Sequence, residues 1–110
     1  MPAEKMWLDT GIDISRGDRI SITASGRWSN SGREVFVGPN GWNFPWKGTI
    51  LESANLGSLI GKIGSHIFPI GESYLGNSVD AGRLYLSIND MPNKFNDNAG
   101  SVIVDITVSQ

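Results

Sequence analysis

The chain has 110 residues, no cysteine and a formal net charge of −2 at neutral pH. One domain over residues 1–110 is expected, because a chain of this length can bury a hydrophobic core without cross-links. The missing cysteines exclude disulfides and thiolate metal sites, and the weak negative charge disfavours nucleic acid as a partner. No apolar stretch approaches the roughly 18 residues of a membrane span, so we expect no membrane insertion.

Apolar and polar residues alternate over residues 10–14 and again over residues 19–25. This period of two is typical of strands with one face in the core. Residues 15–18 separate the two segments and have the composition of a hairpin turn. The 14 glycines and five prolines of the chain indicate many tight turns, which is typical of an all-β domain.

Residues 26–48 form a long segment rich in glycine, proline and aromatic residues. Long loops without regular structure are usually functional or disordered, and the apolar area of the aromatic side chains argues against disorder. Trp42, Phe44 and Trp46 alternate with other residues, so their rings are expected on one side of an extended segment. Two interpretations stay open: the rings pack at one end of the fold or between subunits, or they form a platform for a sugar ring.

Four further strands are predicted, over residues 56–64, 67–70, 84–88 and 102–108. Within residues 84–88, Leu84, Leu86 and Ile88 are expected to point inward, and Tyr85 and Ser87 are expected to point outward. The last two strands are expected to be antiparallel neighbours. We expect about eight short strands in the whole chain, and no segment has the pattern of an amphipathic helix. The sequence therefore predicts an all-β fold, a small antiparallel β-sandwich or jelly roll.

The loop before the last strand is dense in oxygen-bearing side chains. Asp90, Asp97 and Asn98 provide carboxylate and amide oxygens, which are the ligands that calcium takes in flexible geometry. The same residues also favour ordinary turns, so a turn without metal is the alternative. The spacing is not that of an EF-hand, and a single loop does not fill a calcium shell of six to eight oxygens. Ligands from a second loop are therefore required.

Three segments together resemble the PA-IL family of calcium-dependent, galactose-binding bacterial lectins: GDRISITASGRW at 17–28, LIGKIG at 59–64 and INDMPNKFNDNAGS at 88–101. The resemblance implies a small β-sandwich in which one calcium ion bridges the protein and two hydroxyl groups of the sugar. It also implies the ligands, which are side-chain oxygens of Asp90, Asp97 and Asn98 and backbone carbonyls of Lys94 and Ser31. Family members commonly carry two asparagines where this chain has Asp97 and Asn98, so we expect calcium to bind at least as well here.

The sugar side of the site differs from the family pattern. A histidine and a glutamine that help to fix galactose in the family correspond to Phe44 and Lys47. The residues expected to contact the sugar are Asp90, Asp97, Met91, Phe44, Pro45, Lys47, Asn43, Trp46 and Trp42. We therefore expect a calcium-dependent, galactose-type lectin that gains avidity as a homo-oligomer, and a lectin function implies secretion or the cell surface.

Two other function classes were weighed against a lectin. A structural or protein-interaction module would keep the fold and use calcium only to brace a loop. An enzyme is disfavoured, because glycoside hydrolysis requires two carboxyl groups flanking one cleft. The four glutamates of this chain are scattered through loops and turns, and its single histidine, His66, lacks a recognisable serine and aspartate arrangement.

Overall fold

The computed structural model describes residues 1–30 and 35–110, and these residues form seven strands and one short 3₁₀ helix. The elements are β1 (Leu8–Ile14), β2 (Arg19–Ser29), β3 (Leu59–Ile63), β4 (His66–Pro69), β5 (Ser73–Asn77), β6 (Gly82–Ile88), the 3₁₀ helix Phe95–Asp97 and β7 (Ala99–Ser109). Within the described ranges, no helix is long and apolar enough to cross a membrane. The predicted all-β sandwich is confirmed.

The strands form two antiparallel sheets, one in the order β1-β6-β3-β4 and the other in the order β5-β2-β7. The longest pairing joins β2 to β7 over eleven residues, from the pair Arg19 and Ser109 to the pair Ser29 and Ala99. Strand β5, which the sequence analysis did not predict, forms the edge beside β2. Its residues alternate between half-buried and exposed, and it contains few residues that favour a strand.

The core lies between the two sheets. The fully buried apolar side chains include Ile20 and Ile22 from β2, and Leu59, Leu84 and Ile88 from the facing sheet. The inward positions that alternation predicted in β6 are therefore confirmed. Alternation in both sheets places one apolar row of each strand in this core, which is what stabilises a two-layer fold.

One glycine of β3 shows how closely neighbouring side chains pack against this strand. A Cβ atom at Gly61 would lie 2.7 Å from the ring of Phe68 and 2.9 Å from the terminal methyl of Ile70. Contacts this short do not occur between real side chains, so glycine leaves the space that these two apolar residues fill.

Two sequence-based expectations about connections are wrong. Residues 15–18 join β1 to β2, and residues 89–98 join β6 to β7, but in each case the two strands belong to different sheets. Neither connection is therefore a hairpin between neighbouring strands. Alternation identifies a strand and its buried face, but it carries no information about which strand is the partner.

The expected outward position of Ser87 is also wrong. Ser87 is fully buried, and it lies opposite the equally buried Ile60 in the pairing of β3 with β6. At this end of the sheet both faces are covered, whereas the alternation argument assumes that one face is in water. This covered end is where the loops that carry the candidate site begin.

Candidate functional site

The end of β6 is fixed by a buried carboxamide, that of Asn89. Its Oδ1 accepts a hydrogen bond from the Leu51 amide at 2.9 Å, and its Nδ2 donates to the carbonyls of Leu51, Ala54 and Asn55 at 2.9, 3.2 and 3.1 Å. Its backbone carbonyl also accepts from the Gly57 amide at 2.8 Å. Asn89 therefore holds the segment 51–57 against the start of the loop that follows β6. No motif in the sequence predicts this role of Asn89.

Asp90, the next residue, is 1% exposed. Its Oδ1 accepts a hydrogen bond from the Met91 amide at 2.8 Å, and its backbone carbonyl accepts one from the Ile50 amide at 3.1 Å. Its Oδ2 has no hydrogen-bond partner. A buried carboxylate oxygen without a partner is costly, because it loses its hydration and gains nothing in return.

The chain then turns back toward Asp90. The Lys94 amide donates to the Met91 carbonyl at 3.0 Å, and the 3₁₀ helix Phe95–Asp97 follows with the Phe95 ring buried in the core. Asn98 follows in extended conformation, with φ of −77° and ψ of 152°. Burial of the Phe95 ring anchors the loop, because an aromatic side chain contributes a large buried apolar area. The exposed Asp97 and the buried Asn98 are thereby positioned beside Asp90.

Asn98 provides a second buried oxygen without a partner. Its Nδ2 donates to the Ala3 carbonyl at 2.9 Å, while its Oδ1 has no hydrogen-bond partner. The Ala3 amide in turn donates to the Gly100 carbonyl at 3.0 Å, so the N-terminal residues fix the orientation of this carboxamide. In the described residues, Asp90 Oδ2 and Asn98 Oδ1 are the two buried side-chain atoms left unpaired.

Electrostatic interactions connect the residues of this loop. Burial raises the pKa of the Asp90 carboxyl above its ordinary value, and the charge of Asp97 acts in the same direction. The Met91 amide, the Asn98 side chain and the charge of Lys94 oppose this increase in pKa. The predicted ligands Asp97, Asn98 and Lys94 therefore all lie close enough to Asp90 to act on its charge. Ser31, the fifth predicted ligand, lies outside the described residues.

A cleft of about 320 Å³ opens beside these residues, and we name it the Asp90 cleft. It is lined by Asn30, Trp46, Leu56, Asp90, Met91, Lys94 and Asp97. Its volume lies at the lower end of the range of small-molecule sites, roughly 300 to 1,000 Å³. Asn30 and Leu56 were not predicted to line a site, because neither belongs to a recognisable motif.

The aromatic residues predicted to bind sugar form a row beside the cleft. The ring centroids of Trp42 and Phe44 are 6.0 Å apart, and those of Phe44 and Trp46 are 6.1 Å apart. Trp46 and Phe44 are 51% and 42% exposed, and the Trp42 indole donates to Asn30 Oδ1 at 3.2 Å. The rings therefore lie on one side of their segment, as predicted, and two of them face solvent.

The other residues predicted to contact the sugar lie in different places. Met91 and Trp46 line the Asp90 cleft, and Asn43 lines a different cleft on the opposite side of the same segment. Pro45 and Lys47 are exposed, and neither is among the described residues that line the Asp90 cleft.

This arrangement is suited to binding an oxygen-seeking cation. Two unpaired buried oxygens lie beside the exposed carboxylate of Asp97, and hard cations such as calcium take oxygen ligands of these types. Among the described residues there is no group of three or more histidine, cysteine, aspartate or glutamate side chains suited to a metal. Any metal held here therefore requires amide and carbonyl oxygens as well as carboxylates.

Comparisons with known proteins agree with the fold and identify the family. The family model described as PA-IL-like protein matches residues 3–110. Lectin A from Photorhabdus laumondii subsp. laumondii is 33% identical over 104 residues, which cover 90% of this chain and 80% of that protein. A solved PllA-like lectin, the EclA N-terminal domain, superposes with a TM-score of 0.80 at 25% identity, covering 98% of this chain and 92% of that one. The chain belongs to the PA-IL-like protein family and is a carbohydrate-binding lectin, not an enzyme.

Proposed function

We propose that this lectin binds its sugar through a calcium ion held at the Asp90 cleft. The proposed ligands are side-chain oxygens of Asp90, Asp97 and Asn98, with backbone carbonyls of Lys94 and Ser31. The ion would supply positive charge and open coordination positions for adjacent sugar hydroxyls. The protein residues fix the oxygen positions in advance, and the neighbouring aromatic rings border the sugar.

The two unpaired buried oxygens are the observation that carries this proposal. Leaving a buried polar atom without a partner costs roughly 1 to 3 kcal/mol, and more where the group is charged. Native structures pair nearly all such atoms, so two orphans on adjoining side chains favour a missing ligand. A divalent cation is the partner that suits a carboxylate oxygen and an amide oxygen together.

The sugar side rests on the exposed aromatic residues. The indole of Trp46 lines the cleft and is 51% exposed, and sugar rings stack their apolar faces on such surfaces. We propose galactose as the first sugar to test, on the basis of the family resemblance. Phe44 and Lys47 replace the family's histidine and glutamine, so an array of glycans is required to establish the preferred sugar.

We also propose that the chain works as a homo-oligomer. A single shallow site binds a sugar weakly, and linked sites raise the overall affinity through effective concentration. Light scattering on a size-exclusion column measures the mass directly. A single species near the 11.9 kDa of one chain would contradict this part of the proposal.

The metal is tested by thermal unfolding with calcium and with EDTA. At a calcium concentration 100 times the dissociation constant, binding adds about 2.7 kcal/mol to the free energy of unfolding. For a domain of this size we expect the melting temperature to rise by roughly 10 °C, and EDTA to reverse it. Asp90→Asn should lose this increase, whereas the control Asp105→Asn, on the exposed face of β7, should keep it. An unchanged melting temperature at millimolar calcium would contradict the metal site.

The sugar is tested by isothermal titration with galactose, followed by a glycan array, each with calcium and with EDTA. Binding that needs calcium and is lost in Asp90→Asn is the expected result. Calcium binding with no glycan signal would instead favour a module that uses the ion only to brace its loop.

A further inference from the structure

A second cleft lies on the other side of the aromatic segment, and we name it the Asn55 cleft. Its volume is about 420 Å³, larger than that of the Asp90 cleft. Its polar lining consists of Asn40, Asn43, Ser53, Asn55 and Ser58. None of the described residues that line it carries a charge. Carboxamides and hydroxyls without charge are suited to a neutral ligand with many hydroxyl groups, because each donates and accepts hydrogen bonds.

A thin ribbon of two paired segments separates the two clefts. The Trp42 amide donates to the Leu56 carbonyl at 2.8 Å, and the Leu56 amide donates to the Phe44 carbonyl at 2.9 Å. Pro45 and Asn55 continue this antiparallel pairing. In an extended segment successive side chains point to opposite faces. The aromatic rings therefore face one way, and Asn43 faces the Asn55 cleft.

The walls of the Asn55 cleft are held in place by hydrogen bonds. The Asn40 carboxamide donates to Glu72 Oε1 at 2.6 Å and accepts from the Glu72 amide at 2.8 Å. The Asn55 Nδ2 donates to the Asn40 carbonyl at 3.2 Å, and the Ser58 hydroxyl donates to the Asn55 carbonyl at 2.7 Å. These bonds connect the residues of the wall to one another, so the cleft is formed before any ligand arrives.

Other polar groups of the Asn55 cleft are left available. The Asn43 carboxamide and the Ser53 hydroxyl make no hydrogen bond to any described residue, and both side chains are exposed. Asn40, Asn55 and Ser58 thus form a first set, which holds the wall of the cleft. Asn43 and Ser53 form a second set, whose side chains face the open space. The second set can bind a ligand without disrupting the first.

We propose that the Asn55 cleft binds the outer residues of a neutral oligosaccharide whose terminal sugar occupies the Asp90 cleft. This inference rests on the proposed function of the Asp90 cleft and adds the ligand class, an oligosaccharide that extends across the ribbon. The adjacent Asn55 and Leu56 line one cleft each, so the two clefts are neighbours on the two faces of the ribbon.

The test compares ligand lengths by isothermal titration in calcium buffer. The probes are galactose and neutral galactose-terminated oligosaccharides of two to five sugars, with sialylated oligosaccharides of the same lengths that keep a terminal galactose and carry the sialic acid as a branch on an inner sugar. We expect the longer neutral probes to bind at least ten-fold more tightly than galactose. The sialylated probes should not share this gain, because the lining offers no cation to a carboxylate.

Ser53→Arg places a long side chain in the Asn55 cleft and is the deciding variant. We expect it to remove the gain for longer probes and to leave galactose affinity unchanged. The matched control is Ser109→Arg, an exposed serine on β7, which should keep the gain. A melting temperature equal to that of the unaltered protein checks that both variants are folded.

The outcomes separate the two proposals. If galactose binds with calcium but longer neutral probes bind no better, the extended site is overturned and the proposed function stands. The same conclusion follows if Ser53→Arg keeps the full gain. If no saccharide binds with calcium, the proposed function fails and the extended site fails with it.

Discussion

Asn89 and Asp90 are neighbours in the chain and are both buried. Only Asn89, however, has both polar atoms of its side chain hydrogen-bonded. The Asn89 carboxamide makes four hydrogen bonds to backbone groups of the segment 51–55. The Asp90 carboxylate uses one oxygen for the Met91 amide and leaves the other without a partner. A buried polar group that is fully paired stabilises the fold, whereas one left unpaired lowers stability until a ligand binds. We therefore infer that Asn89 stabilises the fold, and we propose that Asp90 binds the ligand.

The largest expected effect tests the structural half of this comparison. Asn89→Ala removes four hydrogen bonds and leaves buried backbone groups of the segment 51–55 unpaired. We expect the free energy of unfolding to fall by about 3 kcal/mol, measured by urea denaturation in EDTA. The matched control is Asn96→Ala, an exposed asparagine of the neighbouring loop, which should change it by less than about 0.5 kcal/mol. Equal effects of the two substitutions would contradict the assigned role of Asn89.

Trp46→Ala tests sugar binding separately from the stability of the fold and from calcium binding. The indole is half-exposed and lines the Asp90 cleft, so its loss removes a stacking surface. We expect sugar affinity to fall about ten-fold, equivalent to about 1.4 kcal/mol, while calcium affinity stays within about two-fold. The control Trp7→Ala lies outside the described lining of that cleft and should leave sugar affinity unchanged. Unchanged sugar affinity in Trp46→Ala would contradict the aromatic platform.

Asp90→Asn in the absence of metal tests whether the Asp90 carboxylate lowers the stability of the fold. The substitution removes a buried charge whose Oδ2 is unpaired, and it adds an amide donor beside the unpaired Asn98 Oδ1. In EDTA at neutral pH we expect the free energy of unfolding to rise by about 1 kcal/mol. In calcium the order reverses, because only the unaltered protein gains from the ion. A large loss of stability in EDTA would show that Asp90 serves the fold as Asn89 does.

The smallest expected effect concerns Asp97, which is exposed. Its carboxylate adds charge to the proposed calcium site, and calcium affinity depends on ligand charge. We expect Asp97→Asn, which restores the pair of asparagines common in the family, to weaken calcium binding about three-fold to five-fold in a titration. Tighter binding in Asp97→Asn would contradict the assigned contribution of this carboxylate.

The strands were largely predictable from the sequence, because a buried face imposes a period of two on its residues. The partners of the strands were not predictable in this way. The loop of Asp90 and Asp97 joins two sheets rather than two neighbouring strands, and Ser87 is buried although the alternation argument placed it outward. Both errors arise because the order of strands in a sheet, and the burial of a sheet's outer face, depend on contacts between residues distant in sequence.

The candidate site was partly predictable. The motif of Asp90 and Asn98 identified residues whose oxygens are unpaired in the structure, although calcium itself stays a prediction. The opposite position of Asn43 was implicit in its alternation with the aromatic residues. The role of Asn89 was not predictable, because an asparagine that ends a strand has the same local signature whether it forms a turn or connects two loops.

The most direct test of the account is a crystal structure of the protein grown with calcium and galactose, with the ion identified by its anomalous scattering. We expect an ion within roughly 2.3 to 2.6 Å of Asp90 Oδ2 and Asn98 Oδ1, and two sugar hydroxyls bound to it. Density for water alone between these two oxygens at millimolar calcium would contradict the account.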